Sequence, residues 1–355
     1  MVTLRLSLRK PFFFRLSACH SYTTFYSLNE FRPKSMATTS RLFKNVFRLL
    51  FPVVLLIIVA VAAASVWLVY KTARPVAAKY LVTPEKYGML SSRGSQVTDE
   101  KWTNKDGSSS RGWLLRGAEN APAVILFHKY DADRSYVLNL AVKLNESTNF
   151  TVLMPDSRAH GENPPAKISS FGGCETEDAA AAIEFVRNLK TPNQINLVGK
   201  DIGLYGVELG SLSALSAAAK NPTIKAIALD SVPETSDQLL DEAVESRFPF
   251  ASTVTSKFAR LGTHLYFYDG CYKHESYCET ARTIENRNIL MLAGLDSKTF
   301  RESTSKLSKC FPGSNKIETK FDLSPSGYSI INASMEQSET YDQRVIDFFR
   351  TSLQN

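Results

Sequence analysis

The chain has 355 residues, of which 44% are hydrophobic and 22% are charged, a composition typical of a globular protein with a packed core. Its formal charge of +7 is concentrated in residues 1–48, which hold nine Lys or Arg and one acid, so the remainder is close to neutral. Because no basic stripe remains on the folded part, the composition excludes nucleic acid as a partner.

Residues 1–48 form a basic N-terminal segment that is rich in Arg, Ser and Phe. Two explanations stay open for residues 1–35. Their composition resembles a transit peptide, or the true start is Met36 and the preceding stretch is a start-site artefact. We expect residues up to 35 to be disordered or artefactual, and the sequence predicts no fold for residues 1–40.

Leu49 to Tyr70 form an uncharged run of 22 residues that predicts a transmembrane anchor. Such a helix is about 33 Å long, enough to span a bilayer core. Because Arg41, Lys44 and Arg48 precede it, the positive-inside rule places the N-terminus in the cytoplasm and the following domain outside. We expect a single-pass membrane protein whose C-terminal domain is extracytoplasmic. A cleaved signal peptide is the alternative, but the apolar run continues past the alanine-rich stretch where cleavage would occur.

Residues 80–355 predict one α/β domain, because apolar strand-like runs alternate with helical patterns. The predicted strands cover 96–103, 111–116, 123–127, 151–155, 202–206, 224–230, 288–293 and 316–323. The predicted helices cover 135–145, 175–189, 211–220 and 339–352. This alternation favours a mostly parallel sheet with helices on both faces. Residues 232–286 interrupt it, are rich in aromatic residues, and are predicted to form a cap over a pocket.

Residues 206–210 read Gly-Val-Glu-Leu-Gly and lie between an apolar strand and a small-residue helix. That context is typical of the G-x-S-x-G nucleophile elbow, in which a sharp turn projects one side chain from the top of the sheet. Here the projecting residue is Glu208. A carboxylate is a poor nucleophile for acyl transfer, because its product would be a mixed anhydride.

Residues 199–203 offer a second elbow, with Asp201 at its centre. It resembles the G-x-D-x-G elbow of dehalogenases and epoxide hydrolases. The helix that follows would then have to pass through three glycines, each of which costs about 1 kcal/mol relative to Ala. The spacing therefore favours Glu208 over Asp201.

Five segments occur in the order expected for one family. They are 123–128, 155–162 (similar to D-x-R-G-H-G-x-S), 172–178 (similar to G-x-x-E-x-x-D), 206–210 and 292–296. Residues 80–355 thus resemble the α/β-hydrolase superfamily, and most of all its membrane-anchored, serine-peptidase-like bacterial branch. The resemblance implies a bacterial inner membrane, with the domain facing the periplasm or the exterior. It also implies a catalytic triad in the order nucleophile, acid, histidine.

The triad that the resemblance implies is degenerate. Glu208 replaces the serine, Asp296 stands at the acid position, and residues 324–328 lack the expected histidine. The oxyanion turn is also altered, because His128-Lys129 replaces His-Gly, while Leu209 follows the elbow residue. We expect His128 to border the pocket and Glu208 to be ionised, paired with Lys129 or another nearby donor.

Four cysteines, Cys174, Cys271, Cys278 and Cys310, follow the predicted anchor. Cys271 and Cys278 lie close in sequence, and we predict that they form a disulfide in the cap. A zinc site is not predicted, because His274 has no further ligands near it with suitable spacing. We expect no metal and no cofactor.

The sequence favours a non-catalytic module that binds a small molecule, a peptide or a protein in the former active-site pocket. The alternative is an active hydrolase of ester or peptide bonds that uses Glu208 and Asp296 in a non-standard mechanism. A third possibility is a structural envelope protein whose pocket is plugged by aromatic residues of 247–277. An open pocket would argue against that third possibility.

Overall fold

The computed structural model describes residues 37–75, 83, 96–161, 164–250 and 252–354. The expectations for residues 1–35 lie outside these described residues. The chain divides into two compact units, Met1–Leu55 and Leu56–Asn355.

Helix α1 (Ala37–Thr72) carries the predicted membrane span. Its segment Lys44–Thr72 is long and apolar enough to cross a membrane and is almost entirely exposed. Only in the last two turns is one side of the helix buried, and the buried residues recur there at a spacing of three and four. The buried residues of this side are Ser65, Leu68, Val69, Thr72 and Ala73.

Eight strands form one sheet in the order β1-β2-β4-β3-β5-β6-β7-β8. The strands are β1 Val97–Thr103, β2 Ser109–Leu115, β3 Ala121–Phe127, β4 Thr151–Pro155, β5 Val198–Val207, β6 Ile224–Asp230, β7 Asn288–Gly294 and β8 Lys316–Leu323. β2 pairs antiparallel with β1 and β4, and all pairs from β4 to β8 are parallel. The carboxyl ends of β3, β5, β6 and β7 therefore meet at one edge, where parallel α/β sheets bind ligands.

Helices cover both faces of the sheet. After α1, the helices are α2 Leu138–Thr148, α3 Glu175–Arg187, α4 Leu209–Lys220, α5 Ser236–Arg247, α6 Ser252–Tyr266, α7 Tyr277–Arg282, α8 Lys298–Ser308 and α9 Met335–Leu353. Alternate residues of β3 point to opposite faces. Val124 and Leu126 pack with α2 and α9, whereas Ile125 and Phe127 pack with α3 and α4. The predicted α/β-hydrolase architecture is confirmed.

The largest differences from the sequence prediction lie at element ends, in the helices of the predicted cap and in one polar helix after β7. β5 begins at Val198, so Asp201 lies inside a strand and the second elbow is excluded. α9 begins at Met335, because Ser334 and Gln337 form a capping box there. Helix α8 was not predicted, since it is rich in Ser, Thr and charged residues and buries only two apolar side chains, Phe300 and Leu307.

The segment between β6 and β7 holds three helices, α5, α6 and α7. It replaces the single crossover helix expected between two parallel strands. α5 packs against α6, and α7 packs against α4. The insertion therefore stands over the carboxyl ends of the strands.

The predicted disulfide between Cys271 and Cys278 is wrong. Cys271 is bonded to Cys174, and Cys278 is bonded to Cys310. The carbonyl of Cys271 lies against Gly173, just before α3, whereas Cys278 lies on α7 beside α8. Closeness in sequence misled the prediction because the fold presents the two cysteines to different neighbouring elements.

Candidate functional site

Glu208 occupies a nucleophile elbow between β5 and α4. Its backbone is strained, with φ 50° and ψ −107°. A Cβ at Gly206 would lie 2.2 Å from the Gly210 carbonyl oxygen, and one at Gly210 would lie 2.3 Å from that of Phe127. Both positions therefore need glycine. The chain has kept the geometry of the elbow while its central residue is a carboxylate.

The Glu208 carboxylate accepts a backbone hydrogen bond from the loop after β3, where Tyr130 donates its N–H to Oε2 at 2.7 Å. The N–H of Leu209, the residue that follows the elbow, also helps to lower the pKa of the carboxyl group. In α/β-hydrolases these two positions supply the oxyanion hole. The carboxylate thus occupies the Tyr130 donor, which would otherwise hold a substrate oxygen.

Burial raises the pKa of Glu208 to about 7, against an ordinary value of 4.5. Its side chain is nearly inaccessible, since only 4% of the residue is exposed. The positive charge of Lys129 and the backbone N–H groups of Tyr130 and Leu209 lower this pKa, but they only partly offset the effect of burial. The expectation of a fully ionised Glu208 therefore gives way to a carboxyl group that titrates near neutral pH.

Lys129 does not form the direct ion pair expected with Glu208. Its Nζ donates to the Tyr328 carbonyl at 3.0 Å and lies 4.2 Å from the centre of the Tyr328 ring. Burial lowers the pKa of Lys129, while the charge of Glu208 opposes that change. The two groups interact through space, and the donor that Glu208 meets is the backbone N–H of Tyr130.

Asp296 lies after β7, at the position predicted for the triad acid. Its carboxylate accepts from the Ser326 N–H at 3.2 Å and from the Ser326 hydroxyl at 2.9 Å. Ser326 belongs to the loop after β8, where the family resemblance places the histidine. The structure thus brings Asp296 to Ser326, and it does not bring Asp296 into the cavity lining together with Glu208.

Asp230 is a buried acid that the sequence analysis missed. It ends β6 and accepts from the Gly327 N–H at 2.9 Å and from the Tyr341 hydroxyl at 2.7 Å. Burial raises its pKa. An acid at the end of an apolar strand beside the elbow strand was a visible signal. Its contacts hold the loop after β8 against the sheet edge.

His128 and His160 serve the fold. His128 donates from Nδ1 to the Lys129 carbonyl and accepts the Ser157 N–H at Nε2. A ring nitrogen that accepts a hydrogen bond carries no proton, and burial lowers the pKa of His128 in agreement with this. The expectation that His128 borders the pocket is wrong, because it lies beneath the loop and does not line the cavity. His160 likewise accepts the Asp131 N–H, and burial lowers its pKa to about 3.

A cavity of about 280 Å³ opens above the elbow. Three tyrosines, four acids and one lysine form most of its wall. They are Tyr130, Tyr136, Tyr328, Asp131, Asp133, Glu208, Glu242 and Lys129. Among the described residues, no aromatic side chain of 247–277 lines this cavity. An open space beside Glu208 argues for binding or catalysis and against a plugged pocket.

A metal centre finds no support in the described part of the chain. There, no group of three or more His, Cys, Asp and Glu side chains converges as a metal site requires. The polar groups of the cavity wall are acids, tyrosines, one lysine and one serine.

Residues 122–266 match the sequence model of the alpha/beta hydrolase fold family. They include β3, the elbow and the first cap helices. This match covers 145 of the 355 residues, and together with the sheet order described above it supports the α/β-hydrolase superfamily. The narrower resemblance to a membrane-anchored, serine-peptidase-like bacterial branch stays a prediction.

One curated relative of this α/β-hydrolase-fold protein is a thiohydrolase, aneE, of Aspergillus aculeatus. It is 28% identical over 125 residues, which cover 34% of this chain and 37% of the relative. The match thus spans about a third of that protein's length, and its activity is not carried over to this chain.

Solved structures share the fold at low sequence identity. An esterase of Pyrococcus furiosus is 19% identical, covers 79% of this chain and 98% of its own, and has a TM-score of 0.60. The alpha/beta hydrolase GrgF of Penicillium sp. is 14% identical, with 73% and 99% covered and a TM-score of 0.55. At these identities the likeness shows the fold alone.

Proposed function

We propose that this α/β-hydrolase-fold protein is a single-pass membrane protein whose extracytoplasmic domain binds a small molecule or a peptide above Glu208, without serine-hydrolase chemistry. The observation that carries the proposal is the bond from the Tyr130 N–H to Glu208. A hydrolase needs its oxyanion-hole donors free to stabilise the developing oxyanion. Here a resident carboxylate occupies the donor at Tyr130.

The loop after β8 supports the same proposal. In this loop the hydroxyl of Ser326, and not an imidazole, donates a hydrogen bond to Asp296. Without a histidine as general base, even a serine at position 208 would keep its proton. The nucleophile, the base and the oxyanion site are therefore altered together.

Placement outside the cytoplasm has two kinds of support. The basic flank before the apolar helix follows the positive-inside rule, and α1 has an exposed apolar segment long enough to span a bilayer. All four cysteines after the helix are paired in two disulfides. Such bonds persist in oxidising compartments.

The cavity wall indicates the ligand's chemistry. Tyrosine rings provide flat apolar contact, and acids outnumber the single lysine. Lys129 already lies over the face of Tyr328. We therefore propose a compact ligand with an apolar or aromatic body and hydrogen-bond donor groups directed at Glu208 and Glu242.

A second candidate function is hydrolysis with Glu208 as the general base. The observation in its favour is a pKa of about 7, which suits proton transfer at neutral pH. Asp296 would not be its partner, because Asp296 is bound to Ser326. The water would have to enter the cavity and displace the hydrogen bond from the Tyr130 N–H to the carboxylate.

The test uses the full chain in detergent micelles. Ligand-observed NMR against a fragment library should give hits that are lost in Ser246→Trp, which fills the cavity mouth from α5. Glu245→Trp is the matched control, because it is exposed on the same helix and does not line the cavity. Turnover of p-nitrophenyl acetate or an acyl thioester that disappears in Glu208→Gln would instead favour the second candidate. The absence of both binding and turnover would overturn both.

A further inference from the structure

Helix α6 of the cap has three distinct faces. Ala259, Gly262 and Thr263 are buried against the domain. A second face is apolar but exposed, with Val254, Leu261 and Leu265 each about half accessible. The spacing of 7 and then 4 residues places these three side chains in one stripe. An exposed apolar stripe of this kind marks an interaction site, because the apolar side chains of an amphipathic helix are normally buried.

The buried face of α6 meets the end of α1 within the unit Leu56–Asn355. A Cβ at Gly262 would lie 2.3 Å from the Ser65 carbonyl oxygen and 2.9 Å from Val69 Cγ2. One turn further along, the rings of Tyr266 and Tyr70 are 6.5 Å apart. The two helices therefore touch, and glycine allows their backbones to approach closely.

The exposed stripe lies directly beside this contact. At 100° per residue, Leu265 is about 60° and Leu261 about 100° from Gly262, on the same side of the helix. Leu261 and Leu265 therefore lie beside the segment 65–70 of α1. The exposed apolar part of α1 ends there, since Ser65 is the first fully buried residue of its packed side.

The chemistry of this region matches a membrane interface. Trp67 and Tyr70 are exposed on α1, and Phe250 and Tyr268 flank α6 with about 90% of each residue accessible. α6 contains no acid, and Lys257 stands on its polar face. Aromatic belts and basic amphipathic helices are typical of the headgroup region of bilayers.

We infer that α6 lies in the headgroup region of the bilayer that α1 crosses, with Val254, Leu261 and Leu265 inserted into lipid. The inference rests on the anchoring put forward under Proposed function. The membrane-spanning part of α1 is then about Lys44–Ala64, which at 1.5 Å per residue is about 31 Å long. This position of α6 also places the cap, and the cavity bordered by α5, at the membrane surface.

The experiment uses the full chain in vesicles of phosphatidylcholine and phosphatidylglycerol. Leu261→Cys and Leu265→Cys, each in a Cys19→Ser background, are labelled with the polarity-sensitive fluorophore NBD. Lys298→Cys on α8 is the matched control, because its side chain is 87% exposed on a different element. We expect a blue shift and loss of fluorescence with spin-labelled phosphatidylcholine at positions 261 and 265, and neither change at 298.

Flotation of the same vesicles separates the two proposals. Protein that floats while positions 261 and 265 remain as aqueous as 298 would overturn the docking of α6 and leave the anchor intact. A blue shift without quenching by the spin-labelled lipid would also overturn it, because the stripe would then be covered by a second copy of the chain. Protein that fails to float would overturn the anchor and this inference with it.

Discussion

The backbone N–H of Tyr130 donates to Glu208 Oε2 at 2.7 Å, across 78 residues of sequence. In a working hydrolase of this fold, a donor at this place binds an oxyanion that exists only during reaction. Here the anion is part of the chain. The elbow strain and the two obligatory glycines persist, so the fold preserves a geometry whose usual chemistry it has blocked.

The first prediction is that serine-directed fluorophosphonates do not label the protein. Glu208 offers no hydroxyl, and its carboxylate occupies the Tyr130 N–H at the oxyanion site. Glu208→Ser should also stay unlabelled, because among the described residues no histidine is bonded to Asp296 to take the proton. Intact-mass measurement after incubation, with a competent serine hydrolase in parallel, checks both variants. Labelling of the wild-type chain would contradict the proposed loss of serine chemistry.

The second prediction is that Glu208→Ser combined with Ser326→His becomes labelled, while neither single change does. Position 326 is chosen because its side-chain oxygen is 2.9 Å from Asp296. A histidine there would have its orienting carboxylate already in place. Thermal melts must show that the double variant is folded, since Ser326 is fully buried. A folded but unlabelled double variant would show that Asp296 is not positioned as a triad acid.

The third prediction concerns pH. The pKa of Glu208 is raised from 4.5 to about 7 in the folded state, so between these values the folded chain holds a proton that the unfolded chain has lost. The free energy of unfolding therefore falls as pH rises through this window, by about 3 kcal/mol in total. Glu208→Gln removes this loss. Urea denaturation should show that the variant gains stability relative to wild type, by about that amount, between pH 5 and pH 8. A difference in unfolding free energy between variant and wild type that is the same at both pH values would refute this prediction.

The fourth prediction tests Lys129. Its charge is the largest influence that holds down the pKa of Glu208 against burial. Lys129→Met should therefore move that pKa above about 7, seen by NMR of carbon-13-labelled glutamate. Lys200→Met, an exposed lysine on β5, is the control and should leave it unchanged. An unshifted pKa in Lys129→Met would mean that the two groups are screened from each other.

The elbow was predictable because its signals are local. Two glycines at fixed spacing, an apolar strand before them and a small-residue helix after them identify Glu208 without any tertiary information. The partner of Glu208 was not predictable, because Tyr130 contributes a backbone N–H, which carries no signature of residue type. The sequence favours Lys129 as the partner instead, because this neighbour of Tyr130 has a charged side chain.

Asp230 shows the same limit in another form. Its residue type and its place at the end of β6 were visible in the sequence, but Gly327 and Tyr341, which bind it, lie about a hundred residues away. Contacts that depend on how distant loops return to the sheet edge are fixed by the whole fold.

The last prediction concerns the disulfides. Mass mapping of the unreduced protein should recover Cys174 linked to Cys271 and Cys278 linked to Cys310. These bonds close loops of 97 and 32 residues, so chain entropy gives stabilisations of about 5 and about 4 kcal/mol. Urea denaturation should therefore show a larger loss for Cys174→Ser/Cys271→Ser than for Cys278→Ser/Cys310→Ser, with Cys19→Ser as the neutral control. A cross-linked peptide that joins Cys271 to Cys278 would contradict this pairing. Four free thiols in protein isolated from membranes would count against the pairing and against an oxidising compartment together.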